Sequence, residues 1–175
     1  PFDRAEGFRY LARITRAALD AFIDRADPLH PTLYRPVHET IKMGSDNPDN
    51  YYQHANIRGQ YRYRLWGTRG TIHYLGFGSY AGDYGGSGRT GKTGYLEGQE
   101  LVVNDDGTFE VILATERPAD AQNWLPMEPD TTQLIVRQMF LDRSTETIAD
   151  LQLECLDGPA VPAPLTPQLV DRGLS

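Results

Sequence analysis

The chain has 175 residues, and its 17 basic and 24 acidic side chains give a formal net charge of −7 at pH 7. This length fits one domain with a hydrophobic core of its own, and the hydrophobic share of 39% excludes a disordered or fibrous chain. The acidic balance argues against nucleic acid or an anionic membrane surface as a partner.

The first predicted element is an amphipathic α-helix. Apolar side chains recur at helical spacing between residues 3 and 25, and Pro28 should end the helix because the residue before a proline avoids the α region. A further short helix or turn is expected at residues 34–41. We therefore predict a helical segment, residues 1–42, that packs on the rest of the domain. Its expected buried face consists of Phe8, Leu11, Ile14, Ala18, Leu19, Phe22 and Ile23.

The period of the apolar pattern changes near residue 50 from about 3.6 residues to about two, which is typical of strands. Turns rich in glycine and aspartate separate the strands, and no helical pattern lies between them. This arrangement favours an antiparallel β-sandwich or jelly-roll-like domain over a parallel α/β sheet. The predicted fold class is therefore mainly β, with the sandwich at residues 43–157. Strands are predicted at residues 60–66, 71–80, 100–104, 109–114, 134–141 and 149–156.

Residues 158–175 are predicted to form a proline-rich linker and the start of a further helix. The prolines between residues 157 and 167 give the composition of a stiff, extended linker. Thr166 and Pro167 then match an N-cap and a first helical position. Because this helix would stop after about two turns and the chain begins with Pro1, we expect the chain to be part of a longer protein.

Residues 86–93, with the sequence GSGRTGKT, satisfy the P-loop expression G-x-x-x-x-G-K-T. A P-loop needs a helix after it, since phosphates bind the free N–H groups of a helix N-terminus. Here Gly94 and Gly98 follow, and then a predicted strand. A glycine-rich surface loop is therefore favoured over a nucleotide site, and no cofactor is predicted.

Residues 46–50, with the sequence DNPDN, form a second notable cluster. Asn and Asp side chains commonly cap their own turns, so a structural Asx turn is one interpretation. The functional alternative is that Asp46 and Asp49 accept protons, accept hydrogen bonds from the hydroxyl groups of a ligand, or bind a cation. His54 would lie near them on the following strand. The spacing is not that of an EF-hand loop, and no metal site is predicted.

Arg137 lies in a nearly continuous apolar run, so its charge should need a buried acidic partner. Asp46, Asp49 and Glu154 are the candidates, and a structural ion pair is favoured over a ligand-binding arginine. Trp124 lies in a turn with prolines on both sides. A tryptophan there more often packs across the end of a sandwich than stacks on a ligand.

Cys155 is the only cysteine, which excludes an internal disulfide framework and fits a reducing compartment. No apolar run approaches the ~20 residues of a transmembrane helix, and the N-terminus lacks the layout of a signal peptide. These features predict a soluble, cytoplasmic protein without a membrane partner. The oligomeric state stays open, and a homo-oligomer is one alternative.

Six short motifs occur in order along the chain, at residues 46–50 (DNPDN), 63–70 (YRLWGTRG), 106–109 (DGTF), 116–118 (ERP), 123–126 (NWLP) and 136–137 (VR). Together they resemble the bacterial domain-of-unknown-function 1214 (DUF1214) family, over about residues 2–156. The resemblance implies a β-sandwich or jelly-roll-like domain, in proteins that often carry a second related half. It implies no settled activity and no catalytic residues.

Three functions remain open, and whether the chain is an enzyme is left undecided. The favoured one is binding of a small polar or amphipathic molecule at one end of the sandwich, by one half of a larger protein. The second is a hydrolase or lyase, with or without a metal, that uses Asp46 or Asp49 as base or ligand and His54 or Arg137 for charge stabilisation. The third is a purely structural half that packs against the remainder of the same protein. The predicted ligand-binding residues are Asp46, Asn47, Asp49, Asn50, His54, Trp124 and Arg137.

Overall fold

The computed structural model describes residues 2–43, 46–82 and 91–174 of the chain. The protein is mainly β, as predicted, with a long helix before the strands and a short one after them. Helix α1 comprises Phe2–Leu19 and continues into a π-helical turn, Asp20–Asp24, while α2 comprises Pro167–Leu174. The described strands are β1 (Asn50–Asn56), β2 (Tyr63–Thr68), β3 (Tyr74–Ala81), β4 (Gly91–Glu97), β5 (Thr108–Ala114), β6 (Trp124–Pro126), β7 (Thr131–Met139) and β8 (Asp150–Cys155).

Two four-stranded sheets form the body of the domain. The strand order is β1-β7-β3-β4 in what we call the first sheet and β6-β5-β2-β8 in the second sheet. Neighbouring strands are antiparallel except β5 and β6, which are parallel. The predicted sandwich of largely antiparallel strands is therefore confirmed.

The core lies between the inner faces of the two sheets. In β7, Leu134 and Val136 are fully buried on the inner face, while Ile135 and Arg137 belong to the outer face because side chains alternate along a strand. Phe77 of the first sheet packs against Phe109 of the second, with ring centroids 6.0 Å apart. The outer face of the first sheet is thereby left for a different neighbour, the C-terminal half of α1.

Helix α1 buries less of its apolar side than the sequence predicts. Its buried side chain is Ala17, and Ala21 is buried in the π turn that follows. The predicted buried face is wrong for four of its seven members, which lie at both ends of the helix. The exposed members of that face are Phe8 at 59%, Leu11 at 59%, Leu19 at 43% and Phe22 at 38%.

The end of the helix is fixed to the first sheet through Asn56 of β1. Its Nδ2 donates to the carbonyl oxygens of Ala21 at 2.7 Å and Arg25 at 2.9 Å. The Arg25 N–H in turn donates to the Asp20 carbonyl at 3.0 Å, the wider spacing of a π turn. One strand side chain thus satisfies two carbonyls that a helix end otherwise leaves free.

The structure decides between two alternatives for one segment and corrects two other local predictions. Residues 34–41 take the turn alternative and form no helix, because Tyr34 exchanges two backbone hydrogen bonds with His54, at 2.8 and 2.9 Å, and the chain then bends at residues 36–40. Residues 100–104 pair with no described strand. Instead, the Asn123 side chain accepts the Val102 N–H at 2.8 Å and donates to its carbonyl at 3.0 Å, which replaces a strand ladder. Strand β4 also begins at Gly91, inside the residues 86–93 that are predicted to be a glycine-rich loop.

The C-terminal segment follows the predicted order of linker and helix. Strand β8 ends at Cys155, and α2 begins at Pro167. The linker touches the N-terminal segment where the His30 ring lies 2.9 Å from the Pro159 carbonyl oxygen. No helix among the described residues combines the length and apolar character needed to cross a bilayer.

Candidate functional site

The structure divides the predicted ligand-binding residues among several places. Two cavities stand out, a polar cavity of about 520 Å³ and a helix–sheet cavity of about 560 Å³ between α1 and the first sheet. Asp46, Asn47 and Asn50 line the polar cavity, His54 and Arg137 line the helix–sheet cavity, and Asp49 and Trp124 line neither.

The DNPDN segment beside the polar cavity is a turn held by its own side chains. Asn47 Oδ1 accepts the N–H of Asp49 at 2.9 Å, and the Asn47 carbonyl accepts the N–H of Asn50 at 3.1 Å. The phenolic oxygen of Tyr52 accepts hydrogen bonds from the Asn47 N–H at 3.2 Å and from Asn50 Nδ2 at 2.9 Å. The segment is therefore an Asx turn.

Four of the six charged side chains that line the polar cavity form two ion pairs. Lys42 Nζ lies 3.1 Å from Asp46 Oδ2, and Arg35 Nη2 lies 3.2 Å from Glu39 Oε1. The Arg35 guanidinium also stacks on the ring of Tyr51, 4.3 Å from its centroid. The other two charged lining residues, Arg143 and Glu146, have opposite signs, so the cavity carries little net charge to attract a ligand.

The helix–sheet cavity has an apolar roof and a largely polar floor. The roof comes from α1 and its π turn, with Ile14, Ala18 and Phe22 among its side chains. The floor is the outer face of the first sheet, where the strand register sets His54 opposite Ile135 and one step diagonal to Arg137. The polar side chains of the floor are His54, Asn56, Tyr80, Gln133 and Arg137.

His54 is a neutral imidazole in the wall of this cavity. Its residue is 7% exposed, and its ring packs edge-on against Tyr34 with centroids 6.3 Å apart. Burial, and secondly the positive charge of Arg137, lower the pKa of His54 to about 3. At neutral pH the ring therefore carries one N–H donor and one acceptor nitrogen.

Arg137 pairs with a phenol and not with the acid that the sequence led us to expect. Its Nη1 donates to the Tyr80 hydroxyl at 2.8 Å, and none of the described side chains that line the cavity is a carboxylate. The three expected partners are engaged elsewhere. Asp46 pairs with Lys42, Asp49 lies 4.0 Å from Arg143, and Glu154 lies 3.4 Å from Arg64.

Tyr80 reaches Arg137 because β3 carries a glycine beneath its ring. A Cβ at Gly78 would lie 2.6 Å from Tyr80 Cε2 and 2.8 Å from its hydroxyl oxygen. The ring therefore lies flat over Gly78, and its hydroxyl is directed to the neighbouring strand. Sequence reasoning missed Tyr80, although glycines at alternate positions of a strand indicate a place where another group approaches the backbone closely.

Trp124 and Asp49 lie apart from both cavities. The Trp124 indole N–H donates to the Ala114 carbonyl at 3.0 Å. This hydrogen bond joins β6, the edge strand of the second sheet, to its neighbour β5. Asp49 is exposed, and its carbonyl accepts the N–H of Phe140 at 3.0 Å. Within the described part of the chain, no three His, Cys, Asp or Glu side chains converge in a way that could hold a metal ion.

The P-loop-like motif does not lead into a helix. Residues 86–90 lie outside the described residues, while Gly91, Lys92 and Thr93 begin strand β4. Lys92 Nζ lies over the Tyr95 ring at 4.8 Å, and the Thr93 hydroxyl bonds the hydroxyl of Ser79 at 2.9 Å. The N–H groups that a P-loop directs at phosphate belong to a helix, and a strand occupies their place here.

One comparison with a solved structure supports the fold. No family model and no curated protein matches the chain. A crystal structure of an uncharacterised protein from Burkholderia cenocepacia is similar over 99% of this chain, with 48% sequence identity and a TM-score of 0.94, and this chain spans 48% of the length of that protein. A crystal structure of a Vibrio parahaemolyticus protein has 13% identity and a TM-score of 0.43, and the match covers 60% of this chain and 30% of the other.

Proposed function

We propose that this domain binds a small amphipathic molecule in the helix–sheet cavity. The observation that carries the proposal is the division of that cavity into an apolar roof on α1 and a polar floor on the first sheet. A cavity with mostly apolar walls and a few convergent polar groups is the usual form of a small-molecule site. Its volume of about 560 Å³ lies within the usual range for such sites, roughly 300–1,000 Å³.

The polar cavity is the weaker candidate. Most of its charged side chains already pair with one another, as Lys42 does with Asp46, so a charged ligand at those side chains would have to displace an existing partner. Two buried atoms there, Arg35 Nε and Asn50 Oδ1, have no hydrogen-bond partner in the described structure. A water molecule could satisfy each of them, and they need no larger ligand.

The test is calorimetric titration of the protein with decanol and with decanoate. Ala18 lines the cavity, so Ala18→Phe should fill part of it and weaken binding of either ligand by about tenfold or more. Ala5→Phe is the matched control, because residue 5 is exposed on the same helix and should leave binding unchanged. Circular dichroism and the melting temperature establish that both variants fold. If neither ligand binds the wild-type protein, the proposal is wrong.

The enzymatic alternative is a hydrolase or lyase in which Asp46 or Asp49 works with His54. Such chemistry needs the acid and the imidazole within hydrogen-bond reach of one substrate. Asp46 and His54 line different cavities, and Asp49 lines neither. This separation favours binding over catalysis as the proposal.

We also propose that the domain is one half of a longer protein of the DUF1214 type. Two observations support this: the chain spans about half (48%) of the Burkholderia protein, and Phe8 and Leu11 of α1 are each 59% exposed. Apolar side chains clustered on one helix face are typical of an interaction surface. We place the remainder of that protein against this face.

The half-protein proposal is tested by thiol labelling at position 11. With Cys155→Ser as background, Leu11→Cys should react readily with iodoacetamide in the 175-residue chain and slowly in the native gene product. Equal reaction rates in the two proteins would contradict the proposal. Protection that depends on the concentration of the 175-residue chain would instead indicate a homo-oligomer.

A further inference from the structure

Among the described residues that line the helix–sheet cavity there is one cation and no carboxylate to balance its charge. Arg137 is the charged side chain among the described residues that line it, and the neighbouring polar groups are neutral amides, a phenol and the imidazole of His54. A partly desolvated cation is stabilised when an anion approaches it. The cavity is therefore electrostatically complementary to a negatively charged group.

The donors of Arg137 are only partly used. A guanidinium has five N–H groups in one plane, and the structure gives Arg137 a single described side-chain acceptor, the Tyr80 hydroxyl at 2.8 Å. Tyr80 holds the guanidinium in place because its own ring is confined over Gly78. A fixed guanidinium with unused donors in one plane matches a planar anion that accepts two parallel hydrogen bonds.

The geometry points to a carboxylic acid as the ligand, with its carboxylate on Arg137 and its apolar part under α1. This inference rests on the proposed function, since it names the chemical class that the helix–sheet cavity accepts. One arginine suffices for a carboxylate, whereas a doubly charged phosphate usually gathers several cations or a helix N-terminus. The neutral His54 ring can add one N–H donor to the same group.

The overall charge of the protein does not explain a preference for carboxylic acids. At a net charge of −7 the domain repels anions at long range, so any preference for an acid over the matching alcohol must come from the cavity. Raising the salt concentration should screen the long-range repulsion and leave that preference in place.

The test compares three ten-carbon ligands of equal chain length by calorimetric titration. Decanoate should bind about tenfold or more tightly than decanol, and decylamine more weakly than either. Arg137→Met should abolish the preference for decanoate and retain decanol binding. Arg16→Met, which removes the same charge from an exposed helix position, should keep the preference.

A second variant covers the case in which Arg137→Met does not fold. Arg137→Lys keeps the charge but loses the planar pair of donors, so decanoate should still bind, with a smaller preference over decanol. Equal affinity for decanoate and decanol in the wild-type protein, or an unchanged preference in both Arg137 variants, would overturn the carboxylate inference while the binding proposal stands. Binding of neither ligand would overturn both.

Discussion

The side-chain amide of Gln138 binds both backbone groups of Ala149 in the middle of the core. Gln138 Oε1 accepts the Ala149 N–H at 2.7 Å, and Gln138 Nε2 donates to the Ala149 carbonyl at 3.3 Å and to Gln53 Oε1 at 2.9 Å. Gln138 is fully buried in β7 of the first sheet, while Ala149 immediately precedes β8 of the second. A polar residue thus joins the two layers of the sandwich beside its largely apolar core.

Gln138→Leu should destabilise the domain by about 2 kcal/mol or more, because it leaves the buried N–H of Ala149 without an acceptor. The measurement is the free energy of unfolding in urea. Gln152→Leu is the control, since residue 152 is exposed on β8 and should change stability by less than about 0.5 kcal/mol. Equal effects of the two changes would show that the Gln138 network contributes little.

Gly94→Ala should destabilise the domain strongly, by about 3 kcal/mol or more. A Cβ at Gly94 would lie 1.9 Å from the Pro126 carbonyl oxygen, so β4 of the first sheet would have to move away from β6 of the second. Gly91 is the matched control on the same strand, because a Cβ there meets nothing within 4 Å. Gly91→Ala should be neutral or slightly stabilising. Similar melting temperatures for the two variants would contradict the close approach of β4 and β6.

His54 should make the stability of the domain depend on pH between about 6.5 and about 3. Its pKa falls from 6.5 to about 3 on folding, so the unfolded chain binds more protons in this interval. The stabilisation is fully present above pH 6.5 and is lost as the pH falls, by up to ~1.4 kcal/mol per pH unit.

The measurement is urea denaturation of wild type and His54→Gln at several pH values from 7.5 down to 4. The variant should lose less stability on acidification than the wild type, whatever its stability at pH 7.5. His73→Gln changes an exposed histidine and should leave the wild-type pH dependence intact. Parallel pH curves for wild type and His54→Gln would show that the imidazole titrates normally.

The sequence predicts what depends on local periodicity and misses what depends on strand register. The helix, the sandwich and the final helix follow from patterns a few residues long. The sequence marks His54 and Arg137 separately as candidates, but only the pairing of β1 with β7 brings them to one face. Asp46 lines the other cavity and Asp49 neither, and Tyr80 joins the site through a contact between neighbouring strands. The alternate glycines of β3 indicate that some group approaches the backbone there, but a single sequence does not say which side chain it is or which partner it meets.

Asn56→Ala should loosen the roof of the helix–sheet cavity more than it weakens the sandwich. It removes the two hydrogen bonds, of 2.7 and 2.9 Å, that hold the carbonyls of Ala21 and Arg25, at a cost of about 1–3 kcal/mol. Hydrogen exchange should accelerate in residues 17–25 and stay unchanged in β7, because the core strands do not depend on this contact. Asn104→Ala removes a side-chain bond to Thr108 in an exposed turn and should leave exchange in residues 17–25 as in the wild type. Acceleration spread evenly over α1 and the strands would mean that Asn56 supports the whole domain and not the helix alone.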